Sequence, residues 1–237
     1  SFDALMAAIQ GGANAVYFGI EQLNMRARAA NNFVFDDLQK IAELGKRHQI
    51  RTYLTLNTII YDHDLSLMKR IVDEAKKTGI TAVIASDQAV INYANSINLE
   101  VHISTQTNVT NLETVKFFAH FADVMVLARE LSLKQVKNIT EGIKNDNVRG
   151  PSGNLVTIEI FAHGALCMAV SGKCYLSLHT NNSSANRGAC VQNCRRTYEV
   201  KDEDGNELLI DNEYIMSPKD LCTIAFIDDI INAGVKV

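Results

Sequence analysis

The sequence predicts an α/β protein built as a (β/α)8, TIM-like barrel. Three observations predict it. Short apolar runs alternate with helix-period segments along most of the chain, the pattern of repeated βα units. At 237 residues and 47% apolar, the chain suits one large domain, residues 1–237, with a substantial core. No Gly-x-Gly-x-x-Gly follows a strand, which leaves a dinucleotide-binding sheet with little support.

The elements follow in order. Phe2, Leu5, Met6 and Ile9 fall on one helical face, with Ser1 placed to cap the helix and Gly11-Gly12 to stop it. Ala15-Val-Tyr-Phe18 is a short apolar run of the kind buried in parallel sheets. Helices are then expected over 36–48, 64–78, 88–95, 112–121 and 131–143. Strands are expected over 51–56, 82–85, 101–104, 124–127 and 155–161. Beyond a cysteine-rich segment, 159–196, the runs 197–200 and 207–210 flank Asp204-Gly205, a hairpin turn signal. A β-hairpin insertion is therefore expected over 197–216. Residues 223–232 read as a last helix capped by Gly234, and Val235-Lys-Val237 as the start of another strand.

A net charge of -4 and a pI near 5.9 give no global pull toward nucleic acid, so an RNA partner would need a local basic patch. No apolar run approaches the roughly 20 residues that span a bilayer, and no signal peptide opens the chain. Together with cysteines grouped in one region, this gives the expectation of a cytoplasmic protein without a membrane span.

That grouping is the chain's most informative feature. Cys167, Cys174, Cys190 and Cys194 fall within 28 positions, and the preceding 166 residues contain no cysteine. Thiolates bind both zinc and iron–sulfur clusters. Only Cys190 and Cys194 have the spacing of a zinc knuckle. The six residues between Cys167 and Cys174 lean toward iron–sulfur, while a disulfide pair or plain buried thiols stay open. Cys222 is the odd one, an alternative fourth ligand in place of Cys194.

Around these cysteines the chain resembles a known family. Glu159-x-Phe161-x-x-Gly164-Ala-Leu-Cys167-x6-Cys174-Tyr-Leu-Ser177 and Asn186-Arg-Gly188-Ala-Cys190-x3-Cys194-Arg are similar to the signature of the collagenase-like peptidases of unknown catalytic type, peptidase family U thirty-two. Fainter echoes run through Gly12-Ala-x-Ala-Val-Tyr-x-Gly19, His102-x-Ser-x-Gln106, Arg129-Glu130-Leu-Ser and Ser217-Pro-Lys-Asp-Leu221. The resemblance implies a barrel with a strand before the first helix and a continuation past the last strand, so both ends read as truncated. It also implies either peptidase activity or, as in other members, oxygen-independent hydroxylation of tRNA, rRNA or a ubiquinone precursor. Those members use a 4Fe-4S cluster and prephenate.

Barrel active sites lie at the C-terminal ends of the strands. The polar residues expected there include Arg26, Arg28, Asn57, Ser86, Asp87, Gln106, Asn108, Arg129, Glu130, Glu159 and His163. Asp87, Asn108 and Glu130 serve equally well as helix caps or first-turn acids. Glu159, inside an apolar strand, is expected to be buried and paired, as a structural ion pair or a proton-transfer group. His163 is open to the roles of ligand, acid or base, or hydrogen-bond donor to cluster sulfur, and His102 to that of a satisfied barrel residue. Arg26, Arg28 and Arg129 suit an anionic substrate.

Under the resemblance, Cys167, Cys174, Cys190 and Cys194 would hold the cluster. Arg26, Arg129, Asn57 and His163 would hold a small dicarboxylate such as prephenate, and Gln106, Glu130 and Glu159 would orient groups or move protons. The expected activity is RNA hydroxylation. The alternatives are a peptidase, for which the sequence offers only a weak Cys167/His163 dyad, and a partner-binding module with structural zinc.

Overall fold

A computed structural model describes residues 1–27, 32–207, 216 and 219–236. Six parallel strands, β1 (Ala15–Phe18), β2 (Arg51–Leu56), β3 (Ala82–Ala85), β4 (Glu100–Ile103), β5 (Val124–Val126) and β6 (Thr157–Glu159), pair in strict chain order. Each β1-to-β6 crossover carries a helix: α2 (Asp37–His48), α3 (Leu65–Thr78), α4 (Gln88–Ser96), α5 (Leu112–Phe118) and α6 (Leu133–Asn145). Sequential parallel order without reversal curls the sheet into a half-barrel, as the alternating pattern predicts. The helix α1 (Phe2–Gln10) precedes it, with the Ser1 hydroxyl accepting from the Ala4 N–H. Lys236 N–H donates to the Ile158 carbonyl at 3.2 Å, so the chain's end runs alongside β6, where the next strand belongs.

Strand alternation divides the sheet's two faces. Thr52 packs beneath Gly45 of α2, and Leu54, Leu56, Val83, Ala85, Val101, Ile103, Met125 and Ile158 join the helices in one core. Arg51, Tyr53 and Thr55 therefore face the barrel interior, as do His102 and Glu159. The expected boundaries hold to within a residue or so at β1 to β4. β6 contracts to three residues because Arg149 and Leu155 are drawn off into an antiparallel bridge that closes the 150–154 loop.

Of the expected hairpin the described residues show the turn and one bridge, Lys201 to Glu207, with the Asp202 carboxylate accepting from the Asp204 and Asn206 N–H groups. The rest of its return strand, 208–210, lies outside the described residues. One expectation changes. The last helix splits into a 3-10 turn, Ile224–Phe226, and α8 (Ile227–Asn232). The cysteine segment contains elements the sequence left as loop: β7 (His163–Gly164) paired antiparallel with β8 (Leu221–Cys222), and the short helix α7 (Leu176–Asn181).

Candidate functional site

The C-terminal ends of β2, β3 and β4 border a cavity of about 270 Å³. Its floor is amide and hydroxyl: Asn57 and Ser86, each one step beyond its strand, and Gln106, three beyond β4, joined by Asn186 from the cysteine segment. Ser86 donates to the Asn57 carbonyl at 3.0 Å and to Gln106 Oε1 at 3.3 Å, so these groups hold one another in place. Asp87 lines the same cavity. Its two oxygens accept from the Ala89 and Ile60 N–H groups, the capping role open to it from sequence.

The cysteine segment folds over this mouth as a lobe fixed at several points. Arg187 donates to the Asp64 carboxylate and to the Ile59 carbonyl, the latter at 3.0 Å. Ile59 N–H donates to the Asn186 carbonyl at 3.2 Å. On the other flank Arg129 Nη2 donates to Ser171 Oγ at 2.6 Å and to the Ala169 carbonyl at 3.3 Å, and Asn108 donates to the Ser171 carbonyl at 2.9 Å. Gly188 takes φ +85°, and a Cβ there would run into the carbonyl of Asn24. Only glycine meets both demands cheaply.

Within the lobe, the Cys174 N–H donates to Asn186 Oδ1 at 3.2 Å, and Arg195 donates to Asp220 at 2.7 Å. All five cysteines are free thiols; Cys174 and Cys194 are half-buried, and Cys167, Cys190 and Cys222 exposed. Burial pushes the Cys194 thiol above its usual range, and Cys167 and Cys190, then Cys174, push it further against the pull of Arg195. The four clustered cysteines are thus electrostatic neighbours. Among the described residues, no group of three His, Cys, Asp or Glu side chains stands close enough to share one ion.

Deeper in the half-barrel lies a second polar group. His102 is fully buried between two carboxylates, with Nε2 3.0 Å from Glu100 Oε1 and Nδ1 3.7 Å from Glu159 Oε1. The second separation exceeds a hydrogen bond, and both atoms are buried without a partner. Burial raises the Glu159 carboxyl above its ordinary range, with His102 and Arg51 opposing, while the His102 hydrogen bond lowers Glu100. Burial also pushes the neighbouring Tyr53 phenol up to about 12. Glu159 thus faces a histidine, with the arginine acting on it only through the field.

A model of peptidase family U32 matches residues 1–237. The chain belongs to that family. It is 61% identical over its whole length to a protein named collagenase from Porphyromonas gingivalis, covering 58% of that protein. It is 35% identical over 99% of its length to the 23S rRNA 5-hydroxycytidine C2501 synthase of Escherichia coli, covering 34% of it. It is 30% identical over 99% of its length to tRNA hydroxylation protein P1 of Bacillus subtilis, covering 55% of it. The chain therefore spans about a third to somewhat over half the length of these U32 relatives.

The sequence-predicted residues separate into four sets. Asn57 and Gln106 line the cavity; Arg129 stands beside it and holds the lobe; Glu159 lies in the barrel interior. Arg26, Glu130 and His163 are exposed and outside the cavity lining, with His163 strand-paired to Cys222, and Arg28 lies outside the described residues. Sequence reasoning missed the Asp64–Arg187 clamp, although Asn186-Arg-Gly188 stood in the U32 signature. An arginine beside a cysteine pattern reads as solvated charge until its carboxylate partner, 123 residues away, is known. No helix of the described residues is long and apolar enough to cross a membrane.

Proposed function

We propose that this chain is the barrel portion of an iron–sulfur protein that hydroxylates an RNA base without oxygen, with prephenate as hydroxyl donor. The observation that carries this reading is the placement of four neighbouring thiols on a lobe clamped beside an amide-lined cavity. A four-iron cluster puts each thiolate on a different iron, so its ligands stand wider than those around one tetrahedral zinc. Four thiols gathered on one lobe, with no three of them close enough to share one ion, suit the wider set. The two RNA-hydroxylating relatives support the same direction.

Cys167, Cys174, Cys190 and Cys194 would hold the cluster, and their chemistry as four soft donors fits it. When bound, the cluster supplies a redox-active centre next to the cavity. Asn57, Gln106 and Asn186 would bind the edge of a base, since amides both donate and accept. Arg129 Nε is buried without a partner. A buried cationic N–H left unpaired is costly, and a substrate carboxylate would satisfy it. Glu159, held above the ordinary carboxyl range, would serve as a proton reservoir rather than a ligand. Arg26, Glu130 and His163 do not line the cavity and are given no contact with the base or the prephenate inside it.

The test is metal analysis with a visible spectrum on protein purified without oxygen. About four irons per chain are expected, with the visible band lost in Cys174→Ala and kept in Cys222→Ala. One zinc, or no metal, would sink the reading.

The 61% identical collagenase favours a second reading, a peptidase. It predicts gelatin cleavage that Cys167→Ala abolishes and that is indifferent to iron.

A further inference from the structure

We infer that Tyr61, backed by Arg187 and flanked by His63, is a stacking platform for the RNA base next to the one in the cavity. The inference rests on the RNA reading above and names the part of the surface that would grip the flanking strand.

Tyr61 is 51% exposed, yet it is not loose. Its N–H donates to Asp64 Oδ2 at 2.9 Å, and its carbonyl accepts from the Asp64 N–H at 2.8 Å. The Arg187 guanidinium lies 4.0 Å from its ring centroid, and His63 meets the ring edge-on at 5.7 Å and 75°. Arg187 is itself fixed by Asp64 and the Ile59 carbonyl. An aromatic ring is thus held rigid by a mostly buried ion pair with about half its surface in solvent. Nothing in the core needs it there, since its burial contributes little. A rigid ring does suit stacking, because the ordering cost is met before the ligand arrives.

Position makes the ligand specific. Ile59, two residues before Tyr61, lines the cavity, and so does Asn186, the residue before Arg187. Two residues of extended chain span about 7 Å, the scale of one nucleotide step. A base occupying the cavity would put its neighbour at Tyr61. Two exposed cations also flank the mouth, Arg26 beside the lining residue Met25 and Lys173 beside Gly172. They supply the local positive charge that a chain of net charge -4 needs in order to hold phosphates. The aromatic face and the cations together suit single-stranded RNA, whose bases stack on aromatic rings without demanding a particular sequence.

The experiment is fluorescence anisotropy of a labelled, mixed-sequence single-stranded RNA decamer at fixed salt. Tyr61→Ala is expected to weaken binding about tenfold, with the range of single-base stacking running from about fivefold to about 140-fold. Tyr61→Leu, which keeps the bulk and removes the π face, should behave the same should the alanine variant fold poorly. Tyr61→Phe should bind within about twofold of the parent, since stacking does not use the hydroxyl. Parent-like binding by both Tyr61→Ala and Tyr61→Leu would overturn the platform and leave the RNA reading standing. A parent protein that ignores the decamer but binds gelatin-derived peptide would overturn the RNA reading, and the platform with it.

Discussion

Replacing Arg187 with alanine tests whether the cysteine lobe is a separately docked unit. The side chain makes a charged hydrogen bond to Asp64, one to the Ile59 carbonyl and a cation–π contact with Tyr61. A hydrogen bond to a charged group contributes about 1.5–3 kcal/mol, and a partly exposed cation–π contact about 0.5–1 kcal/mol. The Arg187 side chain is 24% exposed, so water screens part of the pair and can replace the bond to the Ile59 carbonyl; the lower half of the sum of the Asp64 bond and the cation–π contact then applies, about 2–3 kcal/mol. If the lobe opens independently, amide exchange over residues 172–195 should quicken by about 30- to 140-fold, at about 1.4 kcal/mol per factor of ten. Protection in β2, β3 and β4 should not change. Burial alone would raise the Asp64 carboxyl; the Arg187 hydrogen bond, the Tyr61 N–H and the nearby positive charge together bring it below its ordinary range. A depressed acid stabilises the folded form above its unfolded value, so the parent's docking should weaken as the pH falls below about 4 toward the lowered value. The Arg187→Ala protein should have lost most of that acid dependence. Equal exchange in parent and variant, or a loss of barrel protection alongside the lobe, would refute the idea of an independently docked lobe.

The other predictions are shorter. Burial raises Glu159, so the stability tied to its protonated form is complete below the ordinary carboxyl value and falls away as the pH rises through the raised one. Glu159→Gln should therefore gain on the parent between pH 4 and pH 8, by about 2–4 °C in thermal midpoint at the upper end for a chain of this size, while losing activity. A flat difference across that range would refute it. Gly188→Ala forces a side chain into left-handed backbone against the Asn24 carbonyl. That costs about 1–2 kcal/mol before the clash is counted, and iron bound per chain should drop while the barrel's circular dichroism stays unchanged. Arg129→Lys keeps the charge but loses the guanidinium fork. The parent should gain several degrees in thermal midpoint with saturating prephenate and the variant almost none; equal gains would remove Arg129 from the substrate site.

Much of the barrel was legible because strand and helix periods are local properties. β1, β2 and β3 begin and end where the apolar runs do, since a buried parallel strand needs no partner to show its pattern. At 197–210 the turn was legible: Asp204-Gly205 fixes the reversal and the Lys201–Glu207 bridge closes it, while the strand past Glu207 lies outside the described residues. In the site, Asn57, Gln106 and the cysteine pattern could be placed because barrel ends and cysteine spacing follow rules. Arg26, Glu130 and His163 could not be told apart from them, because sequence places a residue after a strand without saying which way its side chain turns. The clamp was invisible for the converse reason. Asp64 looks like any helix-start acid until the lobe folds back over it.

Asn186 is where these parts become one system. Its carbonyl accepts from Ile59 of the barrel, its amide oxygen accepts from the Cys174 N–H, and the residue lines the cavity. One side chain therefore touches a proposed cluster ligand and the space a substrate would fill, while its neighbour Arg187 holds the lobe down. Any change at the thiols that shifts the Cys174 backbone must move Asn186, and any ligand that orders Asn186 must favour the docked lobe. Coupling of this kind acts equally in both directions. The amide floor, the clamp and the thiols are then one connected unit seated on the half-barrel, in which the fold supplies the frame and Asn186 joins the lobe to the cavity.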